Sequence, residues 1–386
     1  PMATPVLGGK ELAYLTEAIK TGWISSAGRY VGEFEERFSA YCGGRYGITT
    51  TSGTTALHLA LATLGVGPGD EVILPALTII ATANAVTYTG ATPILVDSEP
   101  STWGMDPQQV AQKITPHTKA IMPVHLYGHP VDIDPILELA RRAGVAVVED
   151  AAEAHGAEYK GRRIGGHGDL VCFSFYANKI ITTGEGGMIV TRDPSMAERA
   201  RLLRDQAHER KRRFLHRHLG YNYRMTNLQA AVGLAQLERI DEFVEVRRRH
   251  AHQYNSFFSA VPGITLPPEA SWAKNVHWMY SVLIDSRDFG ASRDEIIEQL
   301  KDHGIESRSF FTPFHEQPLY QSRYTGEQYP VAEELSRQGL NLPSGNELTE
   351  AQVVRVAETL KSTPRSATLS YSSGRASLAP TRGRTG

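Results

Sequence analysis

Two cysteines in 386 residues cannot frame a disulfide scaffold, and Cys42 and Cys172 share no metal-ligand or redox spacing. Cys172 lies inside an apolar run, so both are expected as reduced packing residues. No apolar stretch approaches the length that spans a bilayer, and residues 1–30 carry no basic-then-apolar signal pattern. A cytoplasmic protein with no membrane partner is expected. A net charge of −2 gives no electrostatic reason to expect nucleic acid. A dinucleotide fingerprint is missing too: Gly65-Val66-Gly67-Pro68-Gly69 has the wrong spacing, and Pro68 suits a turn. His216 and His218 come without a third ligand, so no metal is expected. The chain has no internal repeat.

What is there is an ordinary globular composition, 41% hydrophobic and 21% charged, in a chain long enough for two domains. Residues 9–22 read as an amphipathic helix with Leu12, Leu15, Ala18 and Ile19 on one face, and residues 33–42 as a second helix. Strand patterns at 47–51, 71–74, 92–96, 119–124 and 145–149 then alternate with helical patterns at 54–64, 80–88, 107–114 and 134–143. Such alternation implies an α/β fold, a mostly parallel central sheet sandwiched by helices. The basic stretch 207–218 reads as a solvated loop, with contact to an anionic ligand as the alternative. Residues 226–258 read as one long helix with a Thr-Asn start. The expected organisation is a large domain over 1–249, its segment 1–45 near the active site, and a smaller C-terminal α/β domain over 250–361. Residues 362–386, rich in Ser, Thr, Arg, Gly and Pro, are expected to be a disordered tail.

Four features carry chemistry. An apolar run, 170–176, leads to Asn178-Lys179-Ile180-Ile181 and then to the glycine-rich Gly184-Glu185-Gly186-Gly187. Of ten lysines, Lys179 has the clearest apolar context on both sides. Burial there lowers its pKa, and a neutral amine attacks an aldehyde. Ser52-Gly53-Thr54-Thr55 links a strand to a helix and suits a phosphate, although an ordinary helix cap reads the same way. Val145 to Asp150 is a buried strand ending in carboxylates, and Asp150 there can keep a pyridinium nitrogen protonated. Ser174 precedes Lys179 by five residues, and Asn222 and Arg224 add an amide and a guanidinium before the next helix. Together they point to a pyridoxal phosphate (PLP) enzyme.

At these residues the sequence resembles the sugar-nucleotide aminotransferases, a PLP family sharing the fold of aspartate aminotransferase (fold type I). The resemblance covers about residues 5–360 and rests on Ser-Gly-Thr-Thr-Ala-Leu (52–57), Gly-Pro-Gly-Asp-Glu-Val (67–72), Glu-Asp-Ala-Ala-Glu-Ala (149–154) and Asn-Tyr-Arg-Met-Thr-Asn (222–227). Stretches 23–26, 125–128, 178–187 and 304–308, with Glu153 where many relatives have Gln, narrow it to transfer from L-glutamate to C4 of GDP-4-keto-6-deoxymannose. The resemblance implies a homodimer with shared active sites. It makes Lys179 the Schiff-base lysine and Asp150 the pyridinium partner, with pyridoxamine phosphate as the aminated form of the cofactor. Gly53, Thr54, Thr55 and Ser174 would hold the phosphate, and Asn222 would reach it from the neighbouring subunit. Glu153 would lie near the ring oxygen. Trp23, Ser26, Arg29, Arg308 and His315 would lie near the sugar nucleotide. Two departures stand out: Ile79 occupies a position where the family usually stacks an aromatic residue, and the basic stretch 207–218 diverges. A C3 aminotransferase is the alternative, and a non-catalytic regulator of the same fold a more remote one.

Overall fold

The computed structural model describes residues 1–209, 212 and 214–363; Arg210, Lys211 and Arg213 of the basic stretch, and the expected tail beyond residue 363, lie outside the described residues. Seven strands form the central sheet, in the spatial order Tyr46–Thr50, Gly187–Thr191, Leu170–Ser174, Ala146–Asp150, Thr118–Ile121, Glu71–Pro75 and Thr92–Val96. Gly187–Thr191 pairs antiparallel with both of its neighbours, and the remaining pairings are parallel. The α/β expectation therefore holds, with one strand reversed. Apolar, β-branched runs such as Ala146–Asp150 and Leu170–Ser174 are covered on both faces, as a parallel sheet requires.

A second, antiparallel sheet takes the order Ile264–Thr265, Tyr280–Ile284, Gly339–Leu342, Arg308–Ser309. It has an apolar cluster of its own, in which Tyr254, Phe258, Tyr280, Val282, Leu300, Leu340 and Val356 are buried.

Two local readings need correcting. The first helix is Glu11–Lys20, and its buried residues are Glu11 and Ala18, whereas Leu12 and Ile19 are 78% and 64% exposed. The amide of Gln236 donates to the Glu11 carboxylate (2.6 Å), so Glu11 points inward while Glu17 stays exposed beside Arg29. The long helix is two helices, Asn227–Leu237 and Ile240–Phe258. Thr226 caps the first through a reciprocal pair with Gln229. The break falls across Glu238 and Arg239, where Arg239 leaves helical geometry (φ −120°, ψ 9°); the Glu238 carboxylate is held by Lys10, Tyr14 and Arg37. Beyond it the second helix supplies Tyr254 and Phe258 to the other core.

Candidate active site

Because the strands other than Gly187–Thr191 run one way, their carboxyl ends share one edge of the sheet. Ser52, Ala76, Asp150 and Ser174 all sit at or just beyond that edge. Ligands of open α/β sheets collect there.

Asp150 closes the strand Ala146–Asp150 and is 1% exposed. The hydroxyl of Thr82 donates to its Oδ2 at 2.8 Å, and the amide of Ala152 donates to Oδ1 at 3.1 Å. Burial raises the Asp150 pKa, against the pull of those donors and of Lys179. The strand Leu170–Ser174 ends sooner than the apolar run suggests, so Lys179 lies in a turn, its amide donating to the carbonyl of Tyr176. Its side chain is buried, with Nζ 3.7 Å from Glu153 Oε1. Burial lowers the Lys179 pKa, while Glu153 and Asp150 oppose the shift. Burial likewise raises that of Glu153. Glu153 Oε2 accepts from the backbone of Tyr127 at 2.7 Å, whereas Oε1 is buried with no hydrogen-bond partner.

The Ser52 side chain caps the helix Gly53–Leu64 by accepting from the Thr55 amide, and the Ser52 amide donates back to the Thr55 hydroxyl at 2.9 Å. The Thr55 hydroxyl is thus committed to the cap. A Cβ on Gly53 would come within 2.7 Å of Ser174 Cβ, which explains the glycine and puts Ser174 beside the helix N-terminus. Gly187 is explained similarly, since a Cβ there would meet the Ser52 carbonyl oxygen at 2.2 Å.

The remaining candidates are more scattered. Ile79 is half-buried and precedes the helix Ile80–Tyr88. Asn222 is exposed, and its backbone bridges to Asp205. Trp23 is exposed, and its carbonyl accepts from the Asn227 amide at 2.6 Å. The Asn227 backbone also donates to Ser25, pinning the loop that holds half-buried Ser26. Arg29 pairs with Glu17 (2.7 Å) and Glu33 (3.5 Å), and Arg308 with Glu306 (2.7 Å). His315 is mostly buried, 3.1 Å from Glu333. Its segment reaches the sheet edge, where the Phe314 amide donates to the Ala76 carbonyl at 2.9 Å.

Three residues that sequence reasoning passed over belong to this constellation. Thr82 holds Asp150. Tyr127, at φ +53°, donates its amide to Glu153, and its hydroxyl accepts from the Phe311 amide at 3.0 Å. Trp278 lies against Lys179. The Thr82 spacing, three residues past Ile79, was available in the sequence; Tyr127 lies in the stretch 125–128 that carries the resemblance but drew no role there, and Trp278 joins distant segments with no local signal.

The family description "DegT/DnrJ/EryC1/StrS aminotransferase family" matches residues 5–361. The chain belongs to this family. It is 50% identical over 360 residues to a GDP-perosamine synthase from Caulobacter vibrioides, covering 93% of this chain and 96% of that one. It is 40% identical over 346 residues to dTDP-3-amino-3,4,6-trideoxy-alpha-D-glucose transaminase of Streptomyces venezuelae, covering 88% and 89%. Among solved structures, Spr1654 of Streptococcus pneumoniae in its PLP form superposes with a TM-score of 0.87 at 29% identity, covering 94% of this chain and 98% of that one. As a DegT/DnrJ/EryC1/StrS aminotransferase, the protein is a PLP-dependent enzyme with the fold of its relatives. The residues fit that cofactor on two observations. The Gly53–Ser174 approach leaves a small, donor-rich cradle at a helix N-terminus. Glu153 Oε1 is a buried acceptor with no hydrogen bond, beside a buried amine. Among the described residues no helix is long and apolar enough to cross a membrane.

Proposed function

We propose that the protein transfers the amino group of L-glutamate to C4 of GDP-4-keto-6-deoxymannose, forming GDP-perosamine. The observation that carries this reading is the 50% identity, over nearly the full length of both chains, to the Caulobacter vibrioides GDP-perosamine synthase. The site supports it residue by residue. PLP, when bound, supplies an aldehyde for the amino group and a ring that draws electrons from the reacting carbon. Gly53, Thr54 and Ser174 would hold its phosphate on the helix N-terminus. Thr55 acts by shaping the cap, and Asn222 of a second copy would complete the cradle. Ile79 would pack on the ring, and Glu153 would lie at its oxygen. Asp150, held as an acceptor by Thr82 and Ala152, favours a protonated ring nitrogen.

Lys179 is the residue that moves the proton at the substrate carbon. Its burial increases the neutral fraction able to accept a proton, and Glu153 and Asp150 stabilise the ammonium once it has done so. The loop carrying Trp23, Ser26 and Arg29, together with Arg308 and His315, receives the nucleotide sugar. Both arginines already hold carboxylates, so a diphosphate bound there exchanges one anion for another.

The enzyme acts as a homodimer. Leu12 and Ile19 of the first helix, and Trp23 and Ile24 just beyond it, are large apolar side chains left exposed, which suits this segment to contact with a second copy. Two free, buried cysteines fit a reducing cytoplasm.

The 40% identity to the Streptomyces venezuelae transaminase favours a second reading, amination of a 3-keto sugar. Incubation with glutamate, PLP and a panel of 3-keto and 4-keto nucleotide sugars, with NMR of the products, separates the two. Amination at C4 of the GDP sugar is expected; a 3-keto sugar aminated while that substrate is ignored would refute the assignment. Lys179→Ala is expected to abolish turnover with every substrate.

A further inference from the structure

Lys179 has an unusual bed. Its Nζ lies 3.6 Å from the centroid of the Trp278 ring. A cation within about 6 Å of an aromatic centroid is attracted to the ring face, most strongly for tryptophan and more so out of water. Trp278 itself is 4% exposed and fixed on several sides. Its indole N–H donates at 2.9 Å to the carbonyl of Asn178, the residue before the lysine. Its own carbonyl accepts from Arg247 at 2.8 Å and from Ser344 at 3.0 Å, and the Tyr127 ring stacks alongside. One tryptophan thus holds both the backbone that presents Lys179 and the end of its side chain.

We propose that Trp278 is the positioning residue of Lys179, its indole face holding the covalently free amine in place and stabilising the ammonium that forms when it accepts a proton. This deepens the reading of Lys179 as the proton-moving amine and rests on it. The charged and titratable groups around the lysine are Glu153 and Asp150, which favour the ammonium, and buried Arg247, which disfavours it. Buried His155, held neutral by burial, adds no charge. Glu153 Oε1 and the indole face approach Nζ at 3.7 Å and 3.6 Å, and the other Glu153 oxygen serves the Tyr127 amide. The indole face is the uncharged one of these two neighbours, so its hold on the lysine can be varied without changing the charge of the site. Weakening its π face should make the freed amine a poorer proton holder and slow the chemical step, leaving nucleotide-sugar binding untouched.

The test uses the full-length enzyme loaded with pyridoxamine phosphate, in which Lys179 is free. Its pKa is read from competitive acetylation across pH, with the labelled peptide quantified by mass. Site-specific fluorinated tryptophans at 278 keep shape and N–H while draining the π face. The Lys179 pKa should fall stepwise with fluorination, by about one unit in total, a roughly tenfold change in protonation. Trp278→Phe keeps a ring and should retain most of the pKa; Trp278→Leu should lose it and lower kcat at least tenfold, with KM for the nucleotide sugar within twofold. An unchanged pKa across the fluorinated series, in protein that folds and binds cofactor, overturns the proposal, as does a Trp278→Leu enzyme altered only in KM. An active Lys179→Ala enzyme would instead sink the underlying reading, so the two failures are distinct.

Discussion

Thr82→Val removes a hydroxyl that donates to Asp150 and also pairs with the buried Thr78 hydroxyl at 3.2 Å, so the pH-dependent part of its effect probes how Asp150 is kept charged in a buried place. The wild-type hydroxyl donates to Oδ2 at 2.8 Å, and the variant leaves the Ala152 amide at 3.1 Å on the other oxygen. A hydrogen bond to a charged acceptor contributes about 1.5–3 kcal/mol, and each pKa unit corresponds to about 1.4 kcal/mol. Because the protonated carboxyl would also lose a neutral hydrogen bond contributing about 1 kcal/mol, the loss should move the Asp150 pKa up by about 0.4–1.4 units, adding to the upward push of burial. A carboxyl whose folded pKa stands above its unfolded value binds its proton more tightly when folded. Folding is then penalised as pH rises above the ordinary aspartate range, and the variant extends that penalty. Urea unfolding of the cofactor-free chain should therefore show Thr82→Val less stable than wild type by about 1.5–3 kcal/mol at pH 7. The gap should narrow by about 0.5–2 kcal/mol below pH 4, where only neutral hydrogen bonds, to Asp150 and with Thr78, are lost. A gap that does not change with pH would mean that Thr82 is a packing residue with no hold on the charge, and the account of Asp150 would fail.

Other expectations follow from the same contacts. Gly53→Ala should weaken cofactor binding at least tenfold by equilibrium titration, because the new Cβ meets Ser174 at 2.7 Å where the phosphate would rest. Tyr127→Phe leaves the Phe311 amide without its acceptor and should cost about 1–3 kcal/mol in unfolding free energy, with a raised KM for the nucleotide sugar. Leu12→Glu places a charge on this exposed segment and should shift sedimentation from dimer toward monomer, with the folded core unchanged by circular dichroism.

The parts legible in the sequence were those encoded locally. Alternating strand and helix patterns, the cap at Ser52 and the carboxylate ending the strand at Asp150 are all short-range signals, and each appears where the pattern put it. The misreadings came from polar contacts across long separations. Leu12 and Ile19 look like a buried face until Gln236 claims Glu11, and the pattern over 226–258 looks like one helix although it breaks across Glu238 and Arg239, where Lys10, Tyr14 and Arg37 hold Glu238. The contacts of Tyr127 and Trp278 were hidden for the same reason, since their partners Phe311 and Lys179 lie far away in the chain.

Those long-range partners also explain why the antiparallel sheet matters to chemistry at the other sheet's edge. Trp278 leads into the strand Tyr280–Ile284, and Phe310, Phe311 and Phe314 follow the strand Arg308–Ser309. From there they reach Lys179, Tyr127 and the Ala76 carbonyl. Tyr127 sits at the joint, touching Glu153 with its amide and Phe311 with its hydroxyl. A loosened second core should therefore be felt first as a disturbed lysine. Leu340→Ala, buried between the paired strands, creates a cavity expected to cost about 2–5 kcal/mol. If the two sheets are coupled through Trp278, that variant should lower kcat before it unfolds, whereas independent units would lose stability with kcat intact.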